Sequence, residues 1–141
     1  MNFWVVRAEF GKHADAFRNG GYVALDFDIS EPYPVGGQRE AFVDAYKRYN
    51  PLVSSNVVIG QQVGQITRFC GSIQVGDYVI TPSDNNDVLY YGKVLDEPYR
   101  YEAVPADSCP YRHRRSVKWS KSTASRSTFS VPFQNTIRSS L

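Results

Sequence analysis

The chain is poor in the residues that carry most covalent and metal chemistry. Cys70 and Cys109 are its only cysteines and His13 and His113 its only histidines in 141 residues. There is no CxxC pair, and of the histidines only His113 stands near a cysteine, so neither a zinc-ligand array nor a disulfide framework is spelled out. The histidines fall in no HExxH, Cys-His or Ser-His-Asp arrangement. Gly36-Gly37 precedes a helical pattern without the spacing of a phosphate-cradling loop, and the paired Asp and Glu-x-Lys of metal-dependent nucleases is missing. No apolar run approaches the roughly 18 residues of a membrane span, and MNFWVVRAEF lacks a basic leader before a long apolar core. The expectation is a reduced, cytoplasmic protein without metal or cofactor, and not an enzyme.

Charge and aromatic rings are what the chain does have. The net charge of +2 conceals an asymmetry: residues 1–98 carry 8 Lys/Arg against 12 Asp/Glu, whereas residues 99–141 carry 8 against 2. Aromatic residues make up 14%, with 10 tyrosines among them. Basic charge interleaved with flat rings suits nucleic acid, where cations meet phosphates and rings meet bases. With 42% apolar residues, a chain of this length buries roughly two-thirds of its unfolded surface and folds without staples.

Local patterns place the elements. IQVGDYVITPSDNNDVLYYGKVLDEPYRY (73–101) reads as a hairpin, with strands Asp77–Thr81 and Val88–Asp96 flanking a polar turn, since β-branched and aromatic residues bracket turn formers. Ser83-Asp84-Asn85-Asn86-Asp87 lacks the spacing of a calcium loop and reads as that turn. Gly92 interrupts the second strand where a bulge or a close backbone approach fits. Asn2–Glu9 reads as a first strand with Trp4 structural in it, Lys12–Asn19 as a short helix stopped by Gly20-Gly21, and Tyr22–Phe27 as a second strand emptying into an irregular loop, 28–37. Gln38–Tyr49 is the strongest helix, with Phe42, Ala45, Tyr46 and Tyr49 on one stripe. Gln62–Cys70 follows as a shorter helix. Glu97–Pro110 reads as loop, Tyr111–Ser120 as a basic strand, 120–130 as exposed and Ser/Thr-rich, and Pro132–Leu141 as a helix unfinished at its end, which points to a piece of a longer protein.

The order WVVRAE, a short helix, YVALDF, a helix ending in YxxYNP, VGQITRFCGSIQVGDYVITP, YYGKVLDEPYRY, YRHRRSVKW and FQNTIRSSL resembles the N-terminal domain that precedes Mrr-like and related modification-dependent restriction endonucleases. That domain is similar to the EVE and YTH members of the PUA-like superfamily. The resemblance spans nearly the whole chain and implies one α+β domain over 1–141. Its fold would be a curved β-barrel of about five to six strands with short flanking helices.

The implied activity is recognition of a modified base in double-stranded DNA, flipped into an aromatic pocket, for an antiphage restriction system whose nuclease or ATPase effector lies elsewhere in the parent chain. Phe27 stands where the family commonly has Trp, and Gln62 falls near a position that is aromatic there. Stacking is assigned to Phe27, Tyr33 and Trp119, and reading of the base edge to Asp26, Gln62 and Ser83, because a flipped base needs flat walls and polar groups for its Watson-Crick edge. Backbone contact is assigned to Arg68, Arg112, Arg114, Arg115, Lys118 and Lys121. Alternation along the basic strand would put Arg112, Arg114, Ser116 and Lys118 in one row that clamps phosphates; a solvated edge strand would show the same pattern. An RNA-binding relative, a sensor of a nucleotide or other small ligand, and a protein-interaction domain are the alternatives.

Overall fold

The structure is a computed structural model that describes residues 2–7, 11–26, 29–32, 39–84, 87–97 and 99–128. The elements run β1 (Phe3–Val5), α1 (Ala14–Gly20), β2 (Tyr22–Leu25), α2 (Arg39–Tyr49), α3 (Asn56–Thr67), a π turn (Arg68–Ser72), β3 (Tyr78–Pro82), β4 (Val88–Val94), β5 (Arg100–Tyr101), β6 (His113–Trp119), β7 (Ala124–Ser125) and a 3-10 turn (Arg126–Thr128). Strands order as β1-β3-β4-β6-β2, with β5 added beside β6 and β7 beside β4. The β1–β3 pair is parallel and the others antiparallel. This is a curled mixed sheet forming a half-barrel with three helices, an α+β architecture.

The GDYV corner is fastened through one carboxylate. Asp77 accepts hydrogen bonds from the backbone N–H of Gln74 at 2.9 Å and of Asn2 at 3.0 Å, and from Trp4 Nε1 at 2.9 Å. Three donors on one carboxylate hold its pKa below the ordinary value and stitch β1 to the entry of β3. Trp4 is thereby structural, as its sequence context implied.

Beyond the turn, Ser83 N donates to Val88 O at 3.0 Å and closes the hairpin. Gly92 sits where β6 crosses closest to β4. A Cβ there would lie 2.6 Å from Lys118 O and 2.9 Å from Trp119 Cα, so only glycine lets the two strands pair.

The main core joins sheet and helices. It contains Val23, Val79, Val94 and Val117 from the strands, Phe17 from α1, Phe42 and Tyr46 from α2, Ile59, Val63 and Ile66 from α3, and Phe69 from the π turn. The α2 stripe read from the sequence is the buried face, while Tyr49 at its end is 39% exposed. α3 starts earlier than periodicity indicated. Ser55 caps it, accepting from Val58 N at 3.4 Å, and packing of Ile59, Val63 and Ile66 offsets the low propensity of Gly60 and Gly64. A second, smaller cluster, Val5, Ile80 and Leu89, forms on the other face of β1, β3 and β4.

Two short strands, β5 and β7, were not legible in the sequence; each has two residues and exists through pairing with a longer neighbour. The helix expected at 132–141 lies outside the described residues.

Candidate nucleic-acid interface

The basic strand is where expectation and structure diverge most. Arg114 is 5% and Arg115 6% exposed, so neither reaches a phosphate at the surface. Arg114 donates to both oxygens of Asp107 at 2.9 and 3.1 Å and to the Tyr111 and Cys109 carbonyls at 3.0 Å. Its guanidinium lies over the Tyr22 ring at 4.1 Å, and the Tyr22 hydroxyl donates to Asp107 at 2.5 Å. Arg115 donates to Phe69 O at 2.9 Å and Ile73 O at 2.8 Å, using its charge on the carbonyls around the π turn. The expected phosphate contacts of Arg114 and Arg115 are corrected to structural ones: β2 and β5 flank the strand, and both buried guanidiniums donate to groups inside the protein, while Arg115 Nε has no hydrogen-bond partner among the described residues.

Ser83 is corrected likewise. It is 3% exposed and its hydroxyl donates to Val88 O at 2.8 Å inside the hairpin, not at a pocket edge. Gln62 is half-buried on α3, and Arg68 is exposed at the start of the π turn. Phe27 and Tyr33 lie outside the described residues.

The remaining nominees divide between the two ends of the β2–β6 ladder. Trp119 Nε1 donates to Tyr22 O at 3.2 Å at the start of β2, where Arg18, Asn19, Ser120 and Lys121 complete an open polar depression. Arg18 there donates to Lys121 O at 2.7 Å and stacks on Tyr90 at 4.6 Å. Asp26 follows Leu25, whose partner is His113, so it belongs to the opposite end. The eight residues from Arg112 to Trp119 span roughly 23 Å of extended chain, too far for Asp26 and Trp119 to hold one base.

The Asp26 end gathers more chemistry. Arg112 Nη1 lies 3.9 Å from Asp26 Oδ1 and donates to the Ser30 hydroxyl at 3.2 Å, with both charged side chains about one-third exposed (34% and 35%). Burial pushes the Tyr101 phenol up, with Arg112, Tyr49, Asp26 and Glu31 all close enough to act on it. Glu31 is tied to α2 through Arg48 at 2.8 Å.

Behind these groups His113 is buried, stacked on Tyr99 at 5.8 Å and edge-on to Tyr101 at 5.2 Å. Its Nε2 is 2.7 Å from the Ile29 carbonyl, which only accepts, so Nε2 carries the proton and Nδ1 accepts from the Tyr99 hydroxyl at 2.6 Å. Burial lowers its pKa, so the ring is neutral at pH 7. Tyr99 and Tyr101 were passed over because β5 was read as loop; the alternation in YRY was their only sequence signal.

The arrangement offers a carboxylate acceptor, a guanidinium donor and tyrosine rings at one sheet end. No group of metal-ligating side chains occurs among the described residues, and none of their helices is long and apolar enough to cross a membrane. Burial holds Cys70 up at about 12 and raises Cys109, so both thiols stay protonated at neutral pH.

Among curated proteins and among solved structures nothing matches this chain. Residues 7–140 match the family model described as a domain of unknown function, DUF8426, and the chain belongs to that family.

Proposed function

We propose that this chain is a non-catalytic nucleic-acid-binding domain of PUA-like, EVE-type character that recognises a modified base in duplex DNA and lends that specificity to an effector domain. The observation that carries the reading is the convergence of Asp26, Arg112 and Tyr101 at one sheet end. Asp26 would accept from the exocyclic amine of an extruded cytosine or adenine, as a carboxylate does from cytosine N4. Tyr101 supplies a ring for stacking, and Arg112 a donor for a base oxygen or a phosphate. Phe27, next to Asp26 in the chain, is a stacking nominee from the sequence alone. Extrusion costs a few kcal/mol, and stacking on one ring returns about 1–3 kcal/mol.

The test is competition between duplexes that differ at one central base: unmodified, methylated, hydroxymethylated or glucosylated cytosine, and methylated adenine. The expected outcome is at least about a tenfold preference for one of them, about 1.4 kcal/mol, which Asp26→Asn and Tyr101→Ala both remove. Equal binding of every duplex would overturn the modified-base reading.

A further inference from the structure

The face of the sheet opposite the main core is unlike an ordinary solvated surface. Strand register sets Phe3 beside Tyr78, Tyr78 beside Lys93 and Lys93 beside Lys118, in one row across β1, β3, β4 and β6. The next row is Val5, Ile80 and Tyr91, and the third includes Pro82, Leu89 and Ala124. Side chains two apart share a face. Val6 belongs to the main core and Val5 to the outer cluster, so Arg7 falls on the outer side, level with the third row.

Between the rows lies a groove of about 300 Å³, with Ile80 and Leu89 as floor and Phe3, Tyr78, Tyr91 and Ala124 around it. Phe3 is 61% exposed and stacks on Tyr78 at 5.2 Å, while Lys93 Nζ sits 5.3 Å from the centre of the Tyr78 ring.

Both ends of this apolar groove are cationic. Lys93 and Lys118 are exposed neighbours at one end. At the other, Arg7 has Nε and Nη2 closed off from solvent with no hydrogen-bond partner. Burial, and then the charge of Arg126 nearby, lower its pKa. A guanidinium with two unsatisfied nitrogens, within the electrostatic reach of a second cation, is an arrangement that an anion would stabilise. Four residues separate the first row from the third along a strand, about 13 Å.

We propose that this face is a binding site for single-stranded nucleic acid, in which a base lies in the Tyr78–Tyr91 groove and the flanking phosphates meet Lys93 and Lys118 at one end and lie in the field of the Arg7 and Arg126 charges at the other. An unpaired strand fits because its bases are free to leave the stack and lie on rings, with charge on either side. A duplex hides its base faces, and a free mononucleotide has phosphate for only one end. The site is separate from the Asp26–Arg112 end and does not rest on the duplex reading.

Fluorescence anisotropy of a labelled oligothymidylate of about ten nucleotides tests it, on the wild type and on Phe3→Ala, Lys93→Ser with Lys118→Ser, and Arg7→Gln, each checked for folding by circular dichroism. Each substitution is expected to weaken binding at least about fivefold, the lower end of what one stacked base contributes, and Lys47→Ser, on the exposed side of α2, to leave it within about twofold. Phe3 and the two lysines are exposed, so their variants decide the matter even if Arg7→Gln fails to fold. Unchanged affinity in the Phe3 and double-lysine variants overturns the proposal. So does competition by thymidine monophosphate, or by an acidic peptide, as effective as that of unlabelled oligonucleotide.

Discussion

Arg114 shows how a single residue type can mean opposite things. In the run Arg112-His113-Arg114-Arg115 it looks like a phosphate clamp, yet it is the centre of a buried arrangement with Asp107, Tyr22 and two carbonyls. Asp107 pays the local cost of that burial, and Arg114 holds its pKa down to about 2, against an ordinary 3.8. A depressed carboxylate contributes stability that is fully present above the unfolded pKa and is lost as pH falls through the folded one. The Asp107 side chain is 35% exposed, which discounts the effect to about 1–2 kcal/mol. Thermal melts from pH 5 down to about pH 2 should therefore show a falling Tm that Asp107→Asn flattens, at the expense of a lower Tm at pH 7. A wild-type Tm independent of pH over that window would contradict the pairing. Sequence could not show this, because the same residue letters describe a solvated and a buried arginine, and only the groups folded onto it, Tyr22, Asp107 and the Tyr111 and Cys109 carbonyls, separate the two.

Elements were more legible. The α2 stripe, the β3–β4 hairpin and the β2 and β6 strands stand where periodicity put them, because each has enough residues for a period to repeat. What failed were the pieces with two residues, and α3, whose start depends on a Ser55 cap and whose glycines argue against a helix until packing is known. Gly92 is the element-scale feature with the clearest consequence. The sequence marked it as a bulge or a close approach, and the β4–β6 crossing shows the latter. Gly92→Ala should cost about 1–3 kcal/mol by forcing β6 away from β4, read as a lower denaturant midpoint, while Gly71→Ala, with open space around it, should cost less than 1 kcal/mol. Equal midpoints for the two variants would remove the close-approach account.

At the scale of the molecule, the basic C-terminal part has fewer surface cations than its composition promises, since Arg114 and Arg115 are spent inside. The proposed duplex binding should therefore depend on salt through the exposed residues. Arg112→Ala is expected to flatten the slope of log K against log salt by about 1, whereas Arg114→Ala lowers Tm and so reads out folding. An unchanged slope in Arg112→Ala would take Arg112 out of the interface.

The sequence by itself determined the α+β class, the main strands and helices, the hairpin and its glycine, because these follow from periodicity and backbone chemistry that act over a few residues. It also put Asp26 and Arg112 among the candidates. Only the tertiary structure decided which charges face water, that Asp26 and Trp119 stand at opposite ends of one ladder, and that Phe3, Tyr78, Lys93 and Lys118 form a row. Those are matters of pairing between residues distant in the chain. A one-dimensional pattern gives each strand two faces, and its neighbours in the sheet settle which of them is covered.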